Sequence, residues 1–440
     1  MRNIGPALRV RDFRLWWLAL LAMGIGLQML EVAVGWEVYA QHRSPLDLGW
    51  IGLAEFIPMF VLALPAGQLA DRLPRRLVFA VALLLAVAVG AGLALVSHSG
   101  DTSVVPYLAL AAGAGATMAL ANPAARSMAP TLVSAEVLPI AMTLRSIASQ
   151  TAMVLGPALG GLLYLISPVL VYLLAAGMCL LASLCVIAMR ARPAADIPAP
   201  QDPVPPGLER VLEGLRFVRR TQILLGAILL DLLAVLFGGA VALLPVFARS
   251  ILHVGPAGLG VLRAAPAAGA LLGAVALTRS PLGRRAGRTL LIVVGLYGAS
   301  MVVFGLSRFY PLSLLALAVS GFVDMFSMNI RSTTVALATP DRLRGRVAAV
   351  EMVFISASNQ LGAFESGLAA FLVGTVPAVV GGGLITILIA ATWGRIFPDL
   401  ARVDRLQDVR PASPGSPSLS PASPGSPSPG PAALEAERIG

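Results

Sequence analysis

The sequence predicts an all-α integral membrane protein whose twelve transmembrane helices form two six-helix repeats. Three observations lead to this fold class. The 440-residue chain is 57% hydrophobic and only 12% charged, whereas an average soluble domain carries about 25% charged residues. Its apolar residues fall into runs of about 20, the length that crosses a bilayer as a helix. The two halves of the chain also carry related patterns of polar residues. A soluble protein of any class is therefore excluded.

Charged or Pro- and Gly-rich breaks separate the apolar runs. They place helices one to six at roughly 15–39, 49–70, 77–97, 104–125, 138–163 and 168–189. Helices seven to twelve follow at roughly 222–247, 257–278, 288–306, 311–333, 346–373 and 376–396. The predicted domains are therefore an N-terminal bundle over 1–189, a linker over 190–220, a C-terminal bundle over 221–397 and a tail over 398–440. We expect the tail, which is rich in Pro, Ser and Gly, to be disordered.

Arginine placement predicts the orientation in the membrane. The loops on one side hold most of the arginines, whereas the loops on the other side hold only Arg43, Arg249 and Arg308. Because basic residues stay on the cytoplasmic side, both termini and the linker are predicted to be cytoplasmic in a cell-membrane protein. The formal charge of +10 is then a topology signal, and nucleic acid is not a predicted partner.

An internal repeat supports the division into two halves. The first copy of the polar pattern comprises Asn122, Arg126, Pro130, Arg145, Gln150, Leu155 and Gly156. The second comprises Asn329, Arg331, Pro340, Arg346, Gln360, Leu361 and Gly362. Parallel repeats of this kind place a substrate site near the middle of the membrane, between the halves.

Three motifs then resemble a known family. Residues 67–76, GQLADRLPRR, resemble the signature loop of the major facilitator superfamily, with Pro74 where that pattern has Gly. Residues 156–161, GPALGG, look like the motif of its proton-driven exporters. Residues 344–347, RGRV, and 359–362, NQLG, look like the branch that includes enterobactin exporters and macrolide efflux proteins. The resemblance covers about residues 10–397.

The resemblance implies a conformational latch. Asp71 is expected to meet the start of helix eleven at Arg346 and the side chain of Arg126, with a gain from the helix dipole. The rest of the latch motif is Gly67, Arg72, Arg75 and Arg76. The alternative is that these residues only mark topology.

The helix-five motif is expected to control the seal between the halves. It comprises Gly156, Pro157, Gly160 and Gly161. Small residues let helices approach closely, and Pro157 bends its helix. Packing without a gating role is the alternative.

Ionisable residues inside a membrane are costly and mark candidate functional sites. The proton-coupling candidates, in order, are Asp231, Glu31, Asp324 and Glu365. Glu55 is also intramembrane, whereas Glu37 and Glu351 lie near helix ends and are expected to reach interfacial water. Each carboxylate has a structural ion pair as its alternative role. Helices three, six, nine and twelve carry no acidic residue, and the resemblance makes these four the lipid-facing scaffold.

Five residues are candidates for lining the substrate cavity: Phe56, Asn122, Arg145, Arg263 and Gln360. Arg145 and Arg263 are also possible counter-charges for the carboxylates. Arg263 would equally suit an anionic substrate such as a catecholate. For Phe56, the apolar residue among the five, ordinary helix packing is the alternative role.

The predicted function is secondary active transport, with proton-coupled efflux of a small amphipathic molecule such as a siderophore, a macrolide or another drug. A nutrient importer of the same fold is the alternative. A membrane scaffold or enzyme is disfavoured, because no catalytic constellation is visible. The chain contains no Lys and hence no nucleotide-binding P-loop. The proton gradient is the expected energy source, with no cofactor, no metal and a monomeric chain.

Overall fold

The computed structural model describes residues 5–190, 207–279 and 285–404, and the regular structure in these ranges is helical. Twelve long helices, numbered in chain order, are α1 Arg11–His42, α2 Pro45–Arg72, α3 Arg75–Ser99, α4 Val104–Leu132, α5 Leu138–Tyr164, α6 Pro168–Ile187, α7 Gln222–Gly238, α8 Gly255–Arg279, α9 Ala286–Leu306, α10 Tyr310–Ala338, α11 Arg344–Val373 and α12 Thr375–Ile396. With the short turns that continue α7 to Ile251, all twelve are long and apolar enough to cross a membrane. The predicted fold class is confirmed.

Helix α7 differs from the continuous helix predicted over 222–247. It ends at Gly238, and Gly239 adopts an extended conformation with φ −80° and ψ 90°. A 3₁₀ turn, a short α-turn and the π-turn Phe247–Ile251 then complete the span. Pro245, which has no N–H to donate, lies in this irregular part. The chain therefore bends where the hydropathy pattern shows no interruption.

The ends of the helices define two faces of the molecule. The linker face carries the start of α1 and the helix Gly207–Arg220, which we call the linker helix. The far face carries the turns that join α1 to α2 and α7 to α8. One apolar cluster at the far face combines both halves, with Trp36 and Tyr39 from the first half and Phe247 and Leu259 from the second. The molecule is therefore closed at its far face.

Glycines make this closure tight. A Cβ on Gly161 of α5 would lie 3.0 Å from the Cα of Gly260 in α8. A Cβ on Gly367 of α11 would lie 2.8 Å from the Cα of Gly49 in α2. The backbones of the two halves thus touch directly along two helix pairs, as small residues permit in membranes.

The predicted linker contains regular structure. The linker helix buries Val218 and rests on the start of α11, because a Cβ on Gly214 would lie 2.6 Å from the carbonyl oxygen of Arg346. Residues 191–206, the remainder of the linker, lie outside the described residues.

The first part of the predicted tail also has structure. Helix Pro398–Ala401 buries Leu400, and the Arg285 N–H donates to the Asp404 carboxylate at 3.0 Å. Residues 398–404 therefore pack against the start of α9. Residues 405–440, with most of the segment expected to be disordered, lie outside the described residues.

We expect Gly269→Ala to lower the thermal stability of the purified protein. Gly269 lies against the backbone of α10, and its added Cβ would collide with the carbonyl oxygen of Ala318. Overpacking of this kind costs about 1–3 kcal/mol. Gly177→Ala is the matched control, because a Cβ at Gly177 meets nothing within 4 Å. Equal melting temperatures for the two variants in detergent would contradict the described α8–α10 packing.

Candidate functional site

A charge cluster lies inside the second half. Arg331 of α10 forms an ion pair with Asp231 of α7, and the two side chains are only 11% and 15% exposed. Asp324 of α10 and Glu351 of α11 both lie within electrostatic range of Arg331 and Asp231. Among the described residues, three carboxyl groups thus share one guanidinium. We call these four residues the acidic cluster.

Small spaces adjoin the acidic cluster. A cavity of about 40 Å³ is bordered by Asp231, Arg331 and Glu351, with Met328 and Phe354 on its apolar side. A second space is lined by Asp231, Asp324, Arg331, Ser327 and Tyr297, among others. The Nε of Arg331 is buried and has no hydrogen-bond partner. A buried donor of this kind is normally satisfied by water or by a bound molecule, and the first cavity is large enough for a water.

Arg331 is the member of this cluster that the sequence prediction does not assign. Arg145 and Arg263 are the predicted counter-charges for the carboxylates. Arg263 does pair with one of them, Glu31, but the partner of Asp231 is Arg331. The internal repeat contained the signal, because it aligns Arg331 with Arg126 as a basic residue inside a helix. Glu351, which the prediction assigns to interfacial water, lines the cavity of the cluster.

A second group of polar residues lies between the halves. Arg263 of α8 forms an ion pair with Glu31 of α1. The amide of Gln360 in α11 donates to the carboxylate of Glu55 in α2 at 2.9 Å, and Glu55 lies within electrostatic range of Glu31 and Arg263. Two predicted cavity residues, Arg263 and Gln360, are thereby joined to two intramembrane carboxylates. These contacts cross the boundary between the halves.

Further polar contacts close the far face. The hydroxyl groups of Tyr39 and Ser250 are hydrogen-bonded at 2.8 Å, and the guanidinium of Arg249 lies 5.4 Å from the ring centroid of Trp36. Each contact joins α1 to the irregular end of the seventh span. They act together with the glycine contacts to keep the far face shut.

Glu37 does not reach interfacial water, and that expectation is wrong. Its side chain is only 5% exposed and accepts a hydrogen bond from the hydroxyl of Tyr172 in α6. Tyr107 is close by and accepts a hydrogen bond from Gln41. The position of Glu37 near a helix end predicts contact with interfacial water. Neighbouring helices cover the carboxylate instead, and the hydroxyl of Tyr172 provides its hydrogen bond.

The latch residues are placed only in part. The side chains of Asp71 and Arg72 lie outside the described residues, and a Cβ on Gly67 would meet nothing within 4 Å. Arg346 pairs with Glu213 of the linker helix in this conformation.

Two other arginines of the motif bond to backbone carbonyls. Arg75 donates to the carbonyl of Ser127 at 2.9 Å, and Arg76 donates to that of Ile187 at 2.9 Å. The start of α3 is thereby fastened to α4 and to the end of α6.

The helix-five motif faces two neighbours. A Cβ on Gly156 or Gly160 would lie 3.0 Å from the Ile25 carbonyl oxygen or from the Met29 Cα, both in α1. Gly161 and the carbonyl of Pro157 instead face Gly260 in α8. One motif therefore fixes α5 within the first half and against the second half at the same time.

The remaining candidates are dispersed. Phe56 stacks on Phe60 with ring centroids 5.5 Å apart. The Asn122 amide lies 3.8 Å from the sulfur of Met118. Glu365 lies 3.5 Å from the hydroxyl of Ser366, which also donates to the Gly239 carbonyl at 3.1 Å. Glu365 is therefore next to the break in the seventh span and separate from the acidic cluster.

Arg126 and Arg145 lie within electrostatic range of each other. Arg126 is exposed and Arg145 is half-buried. Neither is joined to an acidic residue in the part of the chain whose side chains are described.

Glu213→Gln is expected to loosen the linker helix from α11, because it removes the negative charge that pairs with Arg346. The pair is partly exposed, so its contribution is about 1 kcal/mol or less and amide exchange should rise by up to about fivefold. Hydrogen–deuterium exchange of residues 212–220 measures this change. Glu136→Gln, in the exposed loop before α5, is the matched control. Unchanged exchange in Glu213→Gln would show that apolar contacts alone hold the linker helix.

Comparisons with known proteins agree with this architecture. The family model described as "Transmembrane secretion effector" matches residues 4–413. The multidrug efflux pump Tap of Mycolicibacterium fortuitum is 30% identical over 361 residues, which are 79% of this chain and 87% of the relative. The enterobactin exporter EntS of Citrobacter koseri is 27% identical over 380 residues, 85% and 89% of the two chains.

Solved structures share the fold. A POT family transporter in complex with 5-aminolevulinic acid has a TM-score of 0.74 at 10% identity, with coverage of 89% of this chain and 96% of that one. A bacterial homologue of the human lysosomal transporter Spinster, in an inward-facing and occupied conformation, has a TM-score of 0.68 at 16% identity, with coverage of 92% and 99%. The family match, the curated relatives and the twelve spans lead to one conclusion: the chain belongs to the transmembrane secretion effector family and is a multi-pass transporter of the major facilitator superfamily.

Proposed function

We propose that this transporter exports small amphipathic molecules from the cell in exchange for protons, by alternating access. Two relatives support the direction, since one is named a multidrug efflux pump and another an enterobactin exporter. A siderophore, a macrolide or another drug is the proposed cargo. The single observation that carries the proton coupling is the excess of carboxyl groups over guanidinium groups in the acidic cluster.

The electrostatics of the acidic cluster favour proton exchange. Asp231 has Arg331 as an ion-pair partner, whereas Asp324 and Glu351 interact with the same guanidinium at longer range. An uncompensated charge inside a membrane bundle is costly. Binding of a proton by one of the two additional carboxyl groups relieves that cost. Proton uptake in one facing state and release in the other then couples the cluster to the gradient.

The four predicted coupling residues take different places in this scheme. Asp231 and Asp324 belong to one cluster and are the proposed proton-binding pair. Glu31 forms an ion pair with Arg263 across the boundary between the halves. Protonation of Glu31 would weaken this ion pair, which must break when the two halves rock. Glu365 lies beside the break in the seventh span and is proposed to respond to its movement.

Alternating access requires one face to close as the other opens. With the linker face in the cytoplasm, as the arginine distribution favours, a molecule closed at its far face is inward-facing. In the opposite state we propose that Arg346 leaves Glu213 and approaches Asp71. The glycine contacts of α5 with α8 and of α2 with α11 would separate in the same step.

Asp231→Asn is expected to abolish uphill transport, because it removes the negative partner of Arg331 and a proposed proton carrier while keeping the side-chain volume. Gradient-driven dye accumulation in inside-out vesicles should fall to the level of vesicles without the protein, whereas exchange of dye without a gradient should persist. Asp101→Asn, in the exposed loop between α3 and α4, is the matched control. Normal accumulation by Asp231→Asn would exclude Asp231 from coupling.

The direction and the energy source are tested together in inside-out vesicles with a panel of amphipathic dyes. We expect accumulation when the vesicle lumen is acidic and its loss when the pH gradient is collapsed. Accumulation that needs ATP and ignores the gradient would contradict proton exchange. Accumulation only in right-side-out vesicles would instead identify an importer.

The proposed orientation is tested by labelling single cysteines in a background without Cys179 and Cys185. A cysteine replacing Arg308 should react with a membrane-impermeant maleimide in intact cells. A cysteine replacing Arg216, on the linker helix, should react only after permeabilisation. The reverse pattern would invert the proposed topology.

A further inference from the structure

Four polar side chains form one layer where the two halves meet. Glu31 of α1 pairs with Arg263 of α8, and the Gln360 amide of α11 donates to the Glu55 carboxylate of α2 at 2.9 Å. Glu31 and Arg263 also contribute to the electrostatic field at Glu55. We call these four residues the boundary layer. Its two carboxylates belong to the first half, whereas their partners belong to the second half.

The boundary layer adjoins the glycine contacts that close the far face. A Cβ on Gly52, one turn before Glu55, would lie 3.3 Å from the carbonyl oxygen of Gln360. Gly260, which forms the contact between α8 and α5, is one turn before Arg263. Because α2 and α8 run from the far face to the linker face, both polar residues lie one turn on the linker side of these contacts. Separation of the backbones at the far face would therefore also break the boundary layer.

The two carboxylates are compensated in different ways. Arg263 supplies a positive charge to Glu31, whereas Gln360 supplies a hydrogen bond to Glu55 but no charge. A hydrogen bond to an ionised carboxylate is stronger than one to a neutral group. The contact with Gln360 thus favours the ionised form of Glu55, and it depends on the close approach of α2 to α11.

Few other groups act on Glu55. Among the described residues, Glu31 and Arg263 are the charged groups that contribute to its electrostatic environment. On α4, Gly115 lies against the backbone of Glu55, and α3 carries its titratable side chains at its ends. On α11, Glu365 lies instead beside the break in the seventh span. The state of the contact between the halves therefore dominates the surroundings of Glu55.

Water reaches the boundary layer from the linker side in this conformation. The side chain of Glu31 is 41% exposed, and Glu55 is partly exposed. The glycine contacts close the far side of the layer. A proton that leaves Glu55 in this state is therefore released toward the linker face.

We propose that Glu55 binds a proton when the far face opens and releases it when the far face closes. Opening separates Glu55 from Gln360, and in the same step it separates Glu31 from Arg263. Two neighbouring carboxylates then lack their partners, and repulsion between like charges favours the uptake of a proton. Glu55 is the less exposed of the two and takes it. On closure the proton passes to water on the linker side, and the ionised carboxylate again accepts the hydrogen bond from Gln360.

This inference rests on the proposed exchange of protons and adds a residue to it. The acidic cluster lies within the second half, so it does not by itself connect protonation with contact between the halves. Glu55 makes that connection, because its hydrogen-bond donor belongs to the other half. With the linker face in the cytoplasm, proton uptake from the far side and release to the linker side is the direction that proton-driven export requires.

The distance between two spin labels on the far face, measured by pulsed electron resonance, tests this linkage. The labels are attached to cysteines that replace Thr102 and Arg308, which are exposed in far-face loops of the two halves. The full chain without Cys179 and Cys185 is measured in lipid nanodiscs, and long and short distances give the open-to-closed ratio. We expect this ratio to rise as the pH falls, because each proton taken up on opening contributes about tenfold per pH unit.

Variants then locate the proton. Glu55→Gln keeps the side-chain volume and should reduce the pH dependence of the open-to-closed ratio by about tenfold per pH unit, the share of one proton. Gln360→Leu should also reduce it, because the closed state loses the donor that favours the ionised carboxylate. Glu55→Asp should retain most of it, since it keeps the acid. Glu136→Gln, the same change in an exposed loop, is the matched control and should leave it unchanged.

An unchanged pH dependence in Glu55→Gln would overturn the proposal even if the open-to-closed ratio shifts. A contact that only holds the halves together changes that ratio equally at every pH. A wild-type ratio that does not respond to pH would overturn it as well. If Glu55→Gln does not fold, the pH dependence of Gln360→Leu decides in the same way.

Failure of the export function is a separate outcome. Wild-type inside-out vesicles that accumulate no dye under a pH gradient would contradict proton-coupled export. The distance measurement would still decide whether Glu55 binds a proton on opening of the far face. Conversely, normal accumulation together with an unchanged pH dependence in Glu55→Gln would leave export in place and exclude Glu55 as its proton site.

Discussion

The ion pair between Arg331 and Asp231 is the contact around which the electrostatics of this transporter are organised. A charge inside an apolar bundle is tolerated only when an opposite charge or a hydrogen-bond network accompanies it. Arg331 meets this requirement for Asp231, and it also lies within range of Asp324 and Glu351. Because one guanidinium serves three carboxyl groups, the second half has a surplus of acid that protons can neutralise.

The first half satisfies its intramembrane carboxylates differently. The carboxylate of Glu37 is enclosed by its own bundle and accepts a hydrogen bond from Tyr172. Glu55 accepts a hydrogen bond from Gln360, and Glu31 pairs with Arg263, so both have partners in the second half. Two halves built from the same six-helix repeat thus differ in how their buried acids are compensated. In the proposed cycle the second half takes a proton, and the pair of Glu31 and Arg263 connects α1 with α8 across the boundary.

Motion between the halves is governed by how closely the helices pack. At the far face the contact is glycine against glycine, so a small separation removes much of the dispersion energy. At the linker face, the linker helix packs against the start of α11 in the second half, and its Glu213 forms an ion pair with Arg346. In the proposed cycle, the tight far face opens by losing backbone contacts and the linker face closes as Arg346 exchanges its ion-pair partner, which suits a two-state rocking motion.

The sequence by itself determined the twelve spans, because a chain crossing a bilayer must satisfy its backbone within each helix and so needs long apolar runs. It also indicated the family, through motifs in the loop after α2 and in α5. Only the tertiary structure decided which charges meet. Asp231 pairs with Arg331, which is not among the predicted counter-charges, whereas the predicted counter-charge Arg263 pairs with Glu31. Arg346 meets Glu213 of a linker helix that the Pro-rich composition did not predict. Such pairs join residues far apart in the chain. They depend on helix rotation and on bends such as the one at Gly239, which hydropathy does not encode.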